Sequence, residues 1–356
     1  MKSPATDLFY MMQTKERLPS LDVIRVLACL MVVFVHSPMK AELTTATDTY
    51  LLGPLTYLMS PCNGLFFMIS GALLLKPRDV KYNQFLKHRM PKVAIPVIVW
   101  SVIYMAIVCM TKIPQGERIS YLGHNIVTIL FSSSEDVNGT LWFMYALIGI
   151  YLLVPIITPW WQRASKREIE FYLVIWLIAM CLPYLQMFFG IADDETSLLY
   201  YFSGYLGYFV LGAYLRRFDI AHSKMRNVIF ICAAIGALAL PAAVILTTGN
   251  TGNGILWSLS ISSASMATVW FVLIMRSRFC NAPNRLTIFV AWLSPLTFGI
   301  YLMHVLFMKT IKGSGMFADA QYIISIPAIS IMTFALAAFF SWLIHKLPFS
   351  KYIIGD

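Results

Sequence analysis

Long apolar runs, broken by short polar stretches, fill most of this 356-residue chain. A helix needs about 20 mostly apolar residues to cross a hydrocarbon core of roughly 30 Å. Ten windows meet that length, near residues 20–38, 51–75, 93–111, 141–161, 171–190, 199–215, 227–247, 255–275, 288–308 and 322–344. Trp and Tyr crowd many window ends (Tyr50, Trp100, Trp142, Trp160, Trp161, Tyr200, Tyr201 and Trp342), as amphipathic rings do at the headgroup level. The pattern predicts an all-α integral membrane protein, a bundle of about 10 transmembrane helices in a single domain over residues 1–356. Pro155, Pro183 and Pro295 fall inside windows and are candidate helix breaks. The longest polar connection, about 112–140, is some 29 residues and too short for a separate domain.

Composition excludes the other classes. The chain is 59% hydrophobic and 12% charged, against about 45–50% and 25% for a soluble domain. So little charge cannot cover a water-soluble surface, and so much apolar surface excludes disorder. Six scattered Cys without paired spacing exclude a disulfide scaffold. The net charge of +10 has no soluble face on which to meet nucleic acid; it reports orientation instead. An even number of spans puts both termini on one side. That side carries 21 of the 27 Lys and Arg, the other carries Lys40, Lys112, Arg118, Lys309 and Lys312, and Arg25 lies within the first span. Positive-inside bias therefore predicts cytoplasmic termini, and the acidic run Asp193-Asp194-Glu195 falls outside. Residues 1–20 are polar and lack the pattern of a cleaved signal peptide. Asn138-Gly139-Thr140 forms a glycosylation sequon in an outer connection. Phe67–Lys76 and Phe209–Arg216 look alike, each with Gly-Ala, apolar residues and then a cation; a generic inner helix end accounts for that without a repeat.

Charge inside a membrane is expensive and points to function. The first window reads SLDVIRVLACLMVVFVHS. Arg25 and His36 are eleven residues apart, about 20° past three full turns, so they share a face with a rise of roughly 16 Å between them. Asp22 lies one turn before Arg25, and Cys29 continues the stripe. The plainer reading has Arg25 snorkelling to lipid phosphates with Asp22 as partner, and His36 at the interface; their common face favours a polar path. Ser70-Gly71 in the second window allows close helix approach, and Ser70 as a nucleophile lacks a base nearby in sequence. His304 in the ninth window is as readily a structural histidine as a reactive one. His88, His124, His222 and His345 fall in loops or at helix ends and are expected to be solvated. No His-x-x-x-His or Cys-x-x-Cys spacing occurs, so no metal is expected. The inner loops hold Lys87, His88, Arg89 and Lys92, then Arg216 and Arg217, then Arg276 and Arg278; topology accounts for them, and a cradle for an anionic cytoplasmic ligand is the sharper option.

Four stretches together resemble the membrane-bound acyltransferase 3 family. They are the opening LDVIRVLACLMVVFVH, then FFMISGALL, then LWFMYALIGIYLLVPII (Leu141 to Ile157), then LSPLTFGIYLMH (Leu293 to His304). They run in family order over almost the whole chain, which looks most like the short polysaccharide O-acetylating members without a fused hydrolase domain. The resemblance implies a multi-pass acyltransferase of the cell (inner) membrane. It implies transfer of an acetyl group from cytoplasmic acetyl-CoA to a hydroxyl of a surface polysaccharide or glycolipid, with no nucleic acid involved. Acyl transfer needs a base for the incoming hydroxyl, and His36 is the candidate. Arg25 then holds the CoA arm or its phosphates, oriented by Asp22, with Arg89, Lys92 and Ser70 as further donor-binding candidates. Tyr301 and His304 are additional site candidates. Where the family often has Arg-x-x-Arg, this chain has Arg89-Met90-Pro91-Lys92; Lys meets a phosphate as a point charge, without the fork of Arg. The rival expectations are a transporter or flippase, whose broken helices and polar path would look similar, and an interaction subunit of a polysaccharide assembly complex.

Overall fold

The computed structural model describes residues 18–37, 46–75, 82–134, 137, 139–248, 259–317 and 320–355, with side chains omitted for 46–51 and 247–248. Residues 1–17, Lys40, Asn138 of the sequon, the Tyr50 side chain and the first residues of the 255–275 window lie outside that description.

The described residues form helices and turns, with no strand among them. The first helix, α1 (Pro19–His36), starts on a proline with Asp22 in its first turn. Proline suits that position, because no carbonyl waits for its missing N–H, and an acid there meets the positive end of the helix dipole. The window 51–75 is broken at Ser60-Pro61 into α2 (Ala46–Met59) and α3 (Cys62–Leu74). α4 (Tyr82–His88), α5 (Met90–Lys112), α6 (Arg118–Phe131) and α7 (Trp142–Arg163) follow. The window 171–190 is divided into α8 (Lys166–Ala179) and α9 (Leu182–Phe189), just before Pro183. Then come α10 (Tyr205–Arg217), α11 (Arg226–Thr248), α12 (Ile261–Arg276) and α13 (Arg278–Asn281). The ninth window is α14 (Arg285–Leu293), a single 3-10 turn through Pro295, and α15 (Thr297–Gly313); α16 (Tyr322–His345) and α17 (Ser350–Ile353) close the chain. Pro183 and Pro295 thus mark breaks, whereas Pro155 is accommodated inside α7.

Among the described residues, eight stretches are long and apolar enough to cross a membrane. The windows 199–215 and 255–275 yield the shorter α10 and α12, of 13 and 16 residues. α10 is about 20 Å long at 1.5 Å per residue, short of the hydrocarbon thickness, and its residues from Gly207 to Leu215 are all buried. Protein surrounds it, so span length is no longer demanded of it. Hydropathy and burial run in opposite directions here. The α11 span is the most hydropathic and only 22% buried, whereas the α14–α15 span is among the less hydropathic and 67% buried. Lipid selects the most apolar helices for the periphery, and polar residues are kept where protein can satisfy them.

α3 and α10 are in close contact. A Cβ on Gly71 would overlap the Phe209 carbonyl, and one on Gly212 would overlap the Met68 backbone. Gly64 faces Tyr208, Met68 meets Gly212 and the Arg216 guanidinium donates to the Ala72 carbonyl at 2.6 Å; these three pairs advance in step, so the two helices run in the same direction. The two look-alike segments of the sequence are therefore a packed pair of small-residue faces.

One expectation is corrected. Trp100 and Trp161 are not headgroup anchors. Both are buried; Trp100 donates to the Ile353 carbonyl at 3.0 Å, and Trp161 lies under the Arg217 guanidinium. The connection 112–140 holds α6. Its Asn125 and Ile129 are buried, while Ile119, Ile126, Val127, Leu130 and Phe131 are exposed. An apolar outward face of this kind is suited to a membrane interface. A benzophenone photocrosslinker at Ile126 is expected to capture lipid; capture of the chain itself would place that face against protein.

Candidate functional site

α1 lies alongside the segment from Ser294 to His304, and the two run in the same direction. Three contacts in step define this: Arg25 with Ser294, Cys29 with the Thr297 carbonyl, and His36 with His304. The stripe read from the helical period of α1 therefore faces one neighbour along its whole length. At one end, the Ser294 hydroxyl donates to Asp22 Oδ1 at 2.6 Å, and Arg25 Nη1 donates to the same hydroxyl at 3.2 Å. Arg25 Nη1 stands 3.7 Å from the Asp22 carboxylate. Asp22 and Ser294 are buried and the Arg25 side chain is 31% exposed. The guanidinium is thus oriented by two buried partners while keeping an accessible edge, which lipid snorkelling alone does not require.

At the other end the two imidazoles lie 5.2 Å apart between ring centres. His36 Nδ1 meets the Val32 carbonyl at 2.8 Å, and His304 Nδ1 meets the Tyr301 carbonyl at 2.5 Å. A carbonyl only accepts, so each Nδ1 carries the proton, and each Nε2 presents a lone pair. The Nε2 of His304 is buried and has no partner among the described residues. The Tyr301 hydroxyl is committed to the Thr140 carbonyl at 2.6 Å, which makes this ring a fixed wall. Just beyond, the Ser37 carbonyl accepts from the Lys312 ammonium, and the Ser37 hydroxyl lies 2.7 Å from that of Ser330. These contacts tie the end of α1 to α15 and α16.

The other candidates are placed differently. Ser70 is half-buried on α3, beside the glycine that packs on α10. Arg89 and Lys92 are exposed at the start of α5, and no described residue pairs with their side chains. Arg216 and Arg217 donate to the Ala72 and Trp161 carbonyls near the ends of α3 and α7, so both cap helix C-termini. His88, His124, His222 and His345 are exposed. Among the described residues no three His, Cys, Asp or Glu gather as metal ligands. Ser294 is the serine of the LSPLTFGIYLMH stretch but was not among the site candidates read from the sequence; its partner Asp22 is 272 positions away.

The sequence profile described as an acyltransferase domain, of the acyltransferase 3 group, matches residues 18–342. The chain belongs to the acyltransferase 3 family. Comparisons with curated proteins and with solved structures give no match. As an acyltransferase 3 protein it is a multi-pass membrane acyltransferase. The four family stretches converge at its polar centre. Phe67 of the second touches Phe143 of the third at 4.9 Å, Phe143 touches Tyr301 of the fourth at 5.7 Å, and His304 meets His36 of the first.

Proposed function

We propose that this acyltransferase moves an acetyl group from acetyl-CoA to a hydroxyl of a surface polysaccharide or glycolipid, as a single unit in the cell (inner) membrane with both termini cytoplasmic. One observation carries the reading: two imidazoles side by side in the bundle, each with Nδ1–H locked to its own helix and Nε2 left to act. His36 Nε2 takes the proton as the acceptor oxygen attacks the thioester carbon. The C–S bond then breaks, and the imidazolium returns the proton to the CoA thiolate. His304 Nε2, an acceptor in this tautomer, receives a neighbouring hydroxyl of the same sugar and so holds the attacking hydroxyl against His36. Arg25, oriented by Asp22 and Ser294 about 16 Å back along α1, grips the CoA arm; Ser70 offers it a hydroxyl, and Arg89 and Lys92 meet its phosphates.

The reading is tested by radiolabelled acetyl-CoA binding to the purified protein in lipid nanodiscs, together with mass spectrometry of surface glycans from cells with and without the gene. Saturable binding and gene-dependent acetyl groups support it; absence of both overturns it. Lys92→Ala is expected to weaken acetyl-CoA binding about tenfold, the size of one lost charge-assisted contact, and Lys92→Arg to bind at least as tightly as wild type. Equal affinity in all three proteins would remove Lys92 from the donor site.

A further inference from the structure

A cleft of about 400 Å³ opens between the end of α8, the start of α9 and the segment leading into α10, lined by Pro183, Asp193, Tyr200, Tyr201, Ser203 and Leu259 among others. It lies at the His36 end of the bundle. Phe34 of α1 packs near Met59, which immediately precedes α3, and α10 runs in the direction of α3 with Gly204 just before its first residue. The cleft has two kinds of lining. Tyr200 and Tyr201 stand at 83° to one another with ring centres 5.5 Å apart, forming an aromatic corner. Neither hydroxyl has a partner among the described residues.

The carboxylates beside this corner differ. Asp194 is consumed within its own turn, accepting from the Thr196 N–H at 2.9 Å and the Thr196 hydroxyl at 2.6 Å. Asp193 lines the cleft, and no described residue donates to its carboxylate. Burial, and then the neighbouring Asp194, push its carboxyl pKa up. The floor is anchored: the Gly204 carbonyl, in a conformation with φ of +130° that favours glycine, accepts from the Trp176 indole at 2.9 Å.

The cleft connects to the imidazole pair through rings. Tyr205 stacks on Phe67 at 4.7 Å, Phe67 meets Phe143, Phe143 meets Tyr301, and Tyr301 meets His304 at 5.4 Å. From this geometry we infer that the cleft is a binding subsite for a sugar residue of the acceptor glycan, an inference that rests on the acyltransferase reading and assigns where its acceptor is held. A pyranose ring presents apolar C–H faces, which pack on a tyrosine ring, and equatorial hydroxyls, which donate to a carboxylate. Few convergent polar groups on a largely apolar wall is also the general form of a small-ligand site. Because the subsite and the imidazoles are separated by a row of rings, the acceptor is a chain of sugars, gripped at one residue and acylated at another.

The test uses envelope polysaccharide of the host, released by mild acid, end-labelled with a fluorophore and added to the full-length protein in nanodiscs. Asp193→Asn, which keeps the shape, and Tyr200→Ala are each expected to weaken its binding about tenfold, one strong polar contact or one ring. In transfer assays both are expected to raise the KM for glycan with kcat little changed. Wild-type protein that holds no labelled glycan, or variants that hold it as tightly as wild type, overturn the subsite. Acetyl-CoA is absent from the binding arm, so that arm decides the cleft even where the donor-binding test fails.

Discussion

His36→Ala is expected to lower acetyl transfer by about 10²- to 10⁴-fold, the contribution of a positioned general base, while the protein still inserts and purifies as a monodisperse species. The His36 side chain holds only a carbonyl of its own helix, Val32, across one turn. The end of α1 is held instead by Ser37, through Lys312 and Ser330. Removing the imidazole therefore breaks no hydrogen bond between helices, and costs only the ring contact with His304. The measurement is transfer of labelled acetyl to glycan, with size-exclusion behaviour as the folding control. His304→Ala belongs in the same experiment. His304 is buried and likewise bonded to its own turn, so the two variants isolate two lone pairs in one place. If His36→Ala keeps full activity, its role as base is refuted; if only His304→Ala loses activity, the base is His304.

Gly212→Val, and separately Gly71→Val, are expected to destabilise the bundle by about 1–3 kcal/mol or more, the range for added bulk in a filled core. Even a single Cβ at either position meets main chain of the facing helix, the Met68 backbone for Gly212 and the Phe209 carbonyl for Gly71. A side chain can rotate away, but main chain inside a packed helix cannot, so α3 and α10 must separate. Separation pulls Phe67 from Tyr205, and thereby disturbs the row of rings that leads to the imidazole pair. The midpoint of thermal unfolding in detergent micelles reads the effect. Combined in one chain, the two substitutions are expected to be less than additive, since they open the same interface. A wild-type midpoint for either variant would mean that the helices are not in contact at that point.

The polar stripe of α1 was legible from period alone, because a straight helix repeats its face every 3.6 residues whatever surrounds it. Arg25 and His36 share their face for that reason. The apolar runs were legible too, as was the short helix pair's Gly-Ala likeness, though only as a pattern. The function of that likeness was not, since close approach of two backbones is a property of the pair. Trp100 and Trp161 show the same limit: an aromatic residue at a span end reads as an anchor until a neighbour covers it. α6 escaped notice because a 14-residue amphipathic helix between spans is too short to register as one.

By itself, the sequence determined that this is an all-α membrane protein, and through its four stretches the family to which it belongs. Bilayer thickness and helical period are local constraints, written along the chain residue by residue. The tertiary structure alone decided that Ser294 joins Asp22 to Arg25, that His304 stands beside His36, and that Asp193 and two tyrosines share a cleft. Each of those pairs a residue with one far along the chain, and inside lipid the choice of neighbour depends on side-chain packing and unsatisfied hydrogen bonds, to which a count of apolar residues is blind.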